Sequence, residues 1–106
     1  MYREEKAIEQ YLVRQVKSAK GMALKVTSPS MDGVPDRLVM LPECLPVWVE
    51  LKAPGQKPRP LQLVAMSMLR ATHCMMGIRV LDSKDAVDYF IAAARQLYGM
   101  GGGDAV

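Results

Sequence analysis

Asp36, Glu50 and Lys52 are the residues of this 106-residue chain whose types and spacing could do chemistry. Glu50 and Lys52 lie in VWVELK, a β-rich run whose period of two puts Trp48, Glu50 and Lys52 on one face and Val47, Val49 and Leu51 on the other. The second face reads as core. The first offers a carboxylate beside an ammonium group in a strand apolar enough to be central in a sheet. Asp36 opens the preceding strand, and a hairpin would bring it beside Glu50 across the ladder. Two carboxylates that close repel, and one takes up a proton unless a cation is bound between them. Mg²⁺ suits such a site, because it prefers hard oxygen ligands and keeps several waters while binding one or two carboxylates. A metal ion and a positioned water are what phosphodiester hydrolysis needs. Lys52 is placed to orient or deprotonate that water and to offset charge on the phosphorus. The competing reading is an ordinary cross-strand salt bridge on a solvated face.

A further carboxylate is expected from the first helix. From Arg3 to about Ala19, Ile8, Leu12 and Val16 recur every four positions, which predicts an amphipathic helix ending before Gly21. At about 100° per residue, Glu5 and Glu9 fall inside the apolar arc that includes Val13. A carboxylate on a core-facing side needs a partner. Glu5 can escape at the frayed helix start, whereas Glu9 is a full turn deeper. Glu9 is therefore expected at the metal site, directly or through water, with Glu5 the alternative. A buried pair with a lysine or arginine is the competing reading.

The elements that must position these groups follow from pattern and punctuation. Met22 to Thr27 reads as a short strand, followed by the loop SPSMDGVP, whose Pro29 and Pro35 forbid regular structure. Arg37 to Leu41 and Pro46 to Ala53 are β-rich runs separated only by PECL, which predicts an antiparallel hairpin. APGQKPRP breaks the strand, and Pro60 suits the first turn of a second helix reaching about Ala71. That helix, LQLVAMSMLRA, is apolar nearly all round, so it is expected either at the centre of the core or against a partner subunit, and a homodimer is a plausible consequence. Gly77 to Leu81 reads as a strand, and Asp82 or Ser83 can cap a last helix from Lys84 to about Leu97. The order predicts an α/β fold, α-β-β-β-α-β-α, with a small mixed sheet flanked by helices. A single domain is expected over residues 1–98, with GMGGGDAV giving a mobile glycine-rich tail over 99–106.

With half of the residues hydrophobic and 24% charged, a disordered or coiled-coil chain is excluded, and the length suits one core. No apolar run is long enough to cross a bilayer, and MYREEKAIEQ lacks the apolar stretch of a secretory signal, so no membrane partner and a cytoplasmic location are expected. Cys44 and Cys74 stand without a second pair at ligand spacing, which argues against a disulfide framework or zinc knuckle. His73 and Cys74 are sequence neighbours whose side chains point apart, which disfavours a Cys/His catalytic pair. The net charge of +3 is only permissive for a polyanion. More telling is the placement of Lys25, Arg37, Lys57 and Arg59 around the acidic residues, which makes them candidate nucleic-acid contacts.

The segments GVPDRLV and VWVELKAPGQKPRPLQ resemble the VRR-NUC branch of the PD-(D/E)XK nuclease superfamily, in the form of its stand-alone phage or bacterial members. The superfamily signature stands here as Pro35-Asp36 followed by Glu50-Leu51-Lys52. The glycine of GVPD and the LQ after the lysine are the branch's additional features. The likeness runs from EKAIEQYLVRQVK through IRVLDS and is weak beyond. It implies a restriction-endonuclease-like core, DNA as substrate, and Mg²⁺ as the metal, with Mn²⁺ able to substitute. Position by position, it implies that Asp36 and Glu50 bind the metal with the Leu51 backbone carbonyl, that Lys52 is catalytic, and that Gln62 helps hold the site or the scissile phosphate. Small members of the family are similar to junction-resolving homodimers, which implies an endonuclease acting on Holliday junctions or other branched DNA in a bacterial or phage-infected cell. Met31 and Asp32, and the long ATHCMMG turn, depart from the family pattern away from the ligands. Two other functions compete: a DNA-binding or assembly module that kept the fold without cutting, and a nuclease acting on RNA.

Overall fold

The structure, a computed structural model, describes residues 3–100. Its elements are α1 (Arg3–Ser18), β1 (Met22–Lys25), β2 (Arg37–Met40), β3 (Val47–Leu51), α2 (Pro60–Ala71), β4 (Gly77–Leu81) and α3 (Lys84–Tyr98). Ile8, Leu12 and Val16 form the buried stripe of α1. The helix ends where Lys20 turns into the left-handed region at φ 69° and Gly21 N–H closes onto the Val16 carbonyl at 2.9 Å. Of the two candidate caps, Ser83 starts α3: its hydroxyl accepts the Ala86 N–H at 2.9 Å.

The strands lie in the order β1-β2-β3-β4. β1, β2 and β3 are antiparallel neighbours, while β3 and β4 run parallel. A parallel pair needs a crossover, and α2 supplies it. β3 is therefore hydrogen-bonded on both edges. Helices α1 and α3 pack together on the face carrying Val47, Val49 and Leu51, closing a core with Leu12, Val16 and Phe90. Each such side chain stabilises the fold by roughly 1.5–3 kcal/mol on burial.

Helix α2 lies on the opposite face, towards Glu50. The expectation of a central helix is not met: Gln62, Ala65 and Met66 turn inward, while Leu61, Leu63, Val64 and Met68 are exposed. Only one side of α2 has a sheet to cover, and among the described residues nothing covers the apolar side chains on its other side.

The C-terminal end of α3 returns to the β2–β3 connection. Leu45 N–H donates to the Tyr98 carbonyl at 2.7 Å and Met100 N–H to the Glu43 carbonyl at 2.9 Å, and Gly99 pairs with Cys44. Residues 101–106, the rest of the expected tail, lie outside the described residues. Among the described residues no helix is long and apolar enough to cross a membrane.

Candidate active site

The site grows out of the point where the β2–β3 ladder stops. One step beyond the Arg37–Val49 pair the register sets Asp36 opposite Glu50, and the next step sets Pro35 opposite Leu51. In an antiparallel ladder, a residue that bonds its neighbour directs both its N–H and its carbonyl to that neighbour. Pro35 has no N–H to offer the Leu51 carbonyl. The Leu51 N–H, in turn, donates to Asp36 Oδ2 at 2.9 Å. The Pro-Asp dipeptide thus ends the ladder, fixes the aspartate and leaves a main-chain oxygen without a ladder donor beside it.

Glu50 is 1% exposed. Its Oε2 accepts from Gln62 Nε2 at 2.7 Å and pairs with Lys52 Nζ at 3.3 Å. Its Oε1 is buried without a hydrogen-bond partner among the described residues. Burial and, after it, the charge of Asp36 push the Glu50 carboxyl up to about 7, against the pull of Lys52. Asp36 is also raised, chiefly by burial, with the Glu9 charge adding to the effect and the Leu51 N–H opposing it. Two such carboxylates need more positive charge than Lys52 supplies, and a divalent cation fits them. Among the described residues no three His, Cys, Asp or Glu side chains gather for a metal. Two carboxylates with a free carbonyl remain a suitable set for Mg²⁺, which retains several of its waters.

Asp36, Glu50, Lys52 and Gln62 line a pocket of about 260 Å³, whose rim is completed by Glu5, Gln56, Lys57 and Arg59. Lys57 and Arg59 thus stand at the site, as the sequence suggests. Glu9 does not line this pocket. It is buried and its Oε2 receives Arg37 Nε at 3.0 Å, which is the competing reading of a carboxylate in that arc. Arg37 also donates to the Ala23 carbonyl at 3.0 Å, so both groups are spent in bracing α1 against β1 and β2. Glu5 is the helix carboxylate on the pocket wall. Lys25 and Arg37 line a separate groove with Glu9. Gln56 escaped sequence reasoning, because nothing in APGQKPRP distinguishes it from a loop glutamine.

Gln62 links the site to its loops. Its Oε1 accepts the Arg59 N–H at 2.7 Å, so the side chain that grips Glu50 also caps the start of α2. The SPSMDGVP loop seats on the same turn. Gly33 sits at φ +83°, and a Cβ there would lie 2.5 Å from the Leu61 carbonyl oxygen and 3.0 Å from the Gln62 nitrogen. The glycine of GVPD therefore permits both the left-handed backbone and the close approach.

Comparison with known proteins agrees with this fold. No family model matches the chain. It is similar to a phage protein described as "Putative nuclease p44", from Acyrthosiphon pisum secondary endosymbiont phage 1, at 47% identity over 81 residues, covering 76% of this chain and 85% of that protein. It also superimposes on a solved "VRR_NUC domain" with a TM-score of 0.75 and 27% identity, covering 86% of this chain and 97% of that one. The resemblance carried by GVPD, by Glu50-Leu51-Lys52 and by Gln62 thus extends to the whole order of helices and strands, and the chain belongs to the VRR-NUC family.

Proposed function

We propose that the chain is a divalent-metal-dependent DNA endonuclease that acts as a homodimer on branched DNA such as Holliday junctions. The observation that carries this reading is the convergence of Asp36, Glu50 and Lys52 in one pocket, with Glu50 Oε1 buried and unpartnered. Asp36 and Glu50, with the Leu51 carbonyl, would hold Mg²⁺ or Mn²⁺. When bound, such an ion supplies charge stabilisation on the phosphoryl oxygens and a water of lowered pKa.

The chain's own groups do the rest. Lys52, anchored to Glu50, orients the attacking water and offsets charge developing on the phosphate. Gln62 fixes Glu50 so that its free oxygen faces the pocket. Glu5 is the helix-one carboxylate of this site in place of Glu9. Lys57 and Arg59 at the rim hold phosphates flanking the scissile bond, contacts that position a strand without reading its sequence. Exposed Leu61, Val64 and Met68, beside an open groove lined by Trp48, Leu69 and Ile78, support a second subunit, because an apolar surface of this kind marks interaction sites.

The test is cleavage of a labelled four-way junction, a linear duplex of the same sequence and an RNA duplex, with Mg²⁺ omitted, added and chelated. Metal-dependent cutting of the junction, lost in Lys52→Ala, is expected. Equal cutting by Lys52→Ala removes that residue from the chemistry. Equal rates on junction and linear duplex remove the junction preference, and no cutting of any substrate with Mg²⁺ or Mn²⁺ favours a binding module.

A further inference from the structure

We infer that the groove between α1 and the β1–β2 edge, lined by Lys6, Gln10, Arg14 and Lys25, is a second binding site, which takes the backbone phosphates of a duplex DNA arm running away from the cut. This inference rests on the reading of the protein as a DNA nuclease and adds residues to it.

The groove measures about 610 Å³ and is lined by Lys6, Glu9, Gln10, Val13, Arg14, Lys25 and Arg37. Glu9 and Arg37 neutralise each other at 3.0 Å. Among the described residues, Lys6, Arg14 and Lys25 enter no ion pair. The groove therefore carries three uncompensated positive charges, as many as the net +3 of the whole chain, so the remaining residues balance to zero. A cluster of such charges on one concave surface near a phosphate-cleaving pocket is the electrostatic footprint of a polyanion.

Its position ties it to the cut. Glu5 of the active-site pocket and Lys6 of the groove are consecutive on α1, and Asp36 directly precedes Arg37, the first residue of β2, so the same helix and the same strand end border both depressions. Lys6, Gln10 and Arg14 recur every four residues, which aligns them along one side of α1. From Lys6 to Arg14 the helix advances about 12 Å at 1.5 Å per residue. That matches the rise of three or four nucleotides at about 3.4 Å each. Neighbouring side chains in this row stand about 6 Å apart, the rise of about two nucleotides, so the row follows the phosphates of one strand. The Glu9–Arg37 pair has a part in this site too, since it holds α1 at a fixed distance from β1 and so sets the groove's width.

Binding of a labelled duplex is measured in chelator, so that no cutting occurs, from about 0.05 to 0.2 M salt, for the wild type, for Lys6→Gln/Arg14→Gln, and for a charge-matched control, Arg70→Gln/Lys84→Gln, outside the groove. Each lost phosphate contact lowers the slope of log K against log salt by about 0.9. The groove variant is expected to lose about 1.8 from the slope, so that its deficit relative to wild type narrows about tenfold across that salt range. The control is expected to keep most of the wild-type slope. A thermal midpoint equal to wild type excludes misfolding, and Lys6→Arg/Arg14→Lys is expected to restore the slope. An unchanged slope in the groove variant, or an equal loss in the control, overturns the inference. Because these measurements need no catalysis, a groove that binds DNA in a protein that never cuts would refute the nuclease reading alone.

Discussion

Gln62 Nε2 donates to Glu50 Oε2 at 2.7 Å, bridging the first turn of α2 and the central strand. With its other polar atom, Oε1, on the Arg59 N–H, one amide side chain satisfies one oxygen of a buried carboxylate and an otherwise unpaired helix-end donor.

Gln62→Ala should therefore act on both stability and cleavage. Removing the partner of buried polar groups costs about 1–3 kcal/mol, and a loosened Glu50 should lower cleavage by at least about tenfold. Chemical denaturation beside a junction assay reads both. A loss of activity with an unaltered denaturation midpoint would assign Gln62 to the substrate rather than to Glu50.

Lys52→Met keeps the stem that packs in this site and deletes the charge. A drop in cleavage of about 10²- to 10⁴-fold is expected, the range for a group positioned to move a proton. The variant should also ionise Glu50 less readily, because the Lys52 charge is what pulls that carboxyl down.

The raised Glu50 carboxyl makes the metal-free protein pH-sensitive. Its folded value of about 7 lies above the ordinary 4.5, so its contribution to stability is fully present below 4.5 and is lost as pH rises through 7. The difference is on the order of 3 kcal/mol. A divalent cation held there would reverse this, since it would bind the ionised form. Thermal midpoints should accordingly fall between pH 5 and 8 in chelator, and Mg²⁺ should raise them more at pH 8 than at pH 6. Glu50→Gln should flatten the first trend and abolish the second; retention of the Mg²⁺ effect in that variant would place the ion elsewhere.

Gly33 and Gly55 offer a matched pair. Both have positive φ, but a Cβ at Gly55 meets nothing within 4 Å, whereas one at Gly33 meets the backbone of Leu61 and Gln62. Gly55→Ala should cost about 1–2 kcal/mol from backbone strain alone. Gly33→Ala should cost more and also reduce cleavage, because the turn it displaces carries Gln62. Equal stability losses with equal activity would mean that the loop does not support the site.

Val64→Glu places a charge on the exposed apolar side of α2. Sedimentation should show the wild type as a dimer and the variant as a monomer with its fold intact. A wild type that is monomeric at assay concentrations would end the dimer proposal.

Much of this arrangement was legible in the residues. The period of two in VWVELK sorted Glu50 and Lys52 from Val47, Val49 and Leu51, and the short PECL connection dictated the hairpin that sets Asp36 opposite Glu50. Every element also appeared in order, because caps, prolines and hydrophobic periods agreed locally. The helix carboxylates were harder. Glu5 and Glu9 share one arc, and which of them faces the pocket depends on how α1 is set against β2, where Arg37 reaches Glu9 first. The capping half of the role of Gln62 was hidden, since Arg59 is not a residue that signals a helix start.

The aspartate that completes the site also closes the sheet, accepting the Leu51 amide where proline leaves the pairing unfinished. If the proposed function holds, catalytic competence and the integrity of a strand end are thus vested in one carboxyl group. An asparagine there could still take that amide proton while giving up its charge, whereas an alanine would surrender both, so a silent enzyme made with Asp36→Ala would owe part of its silence to a frayed edge.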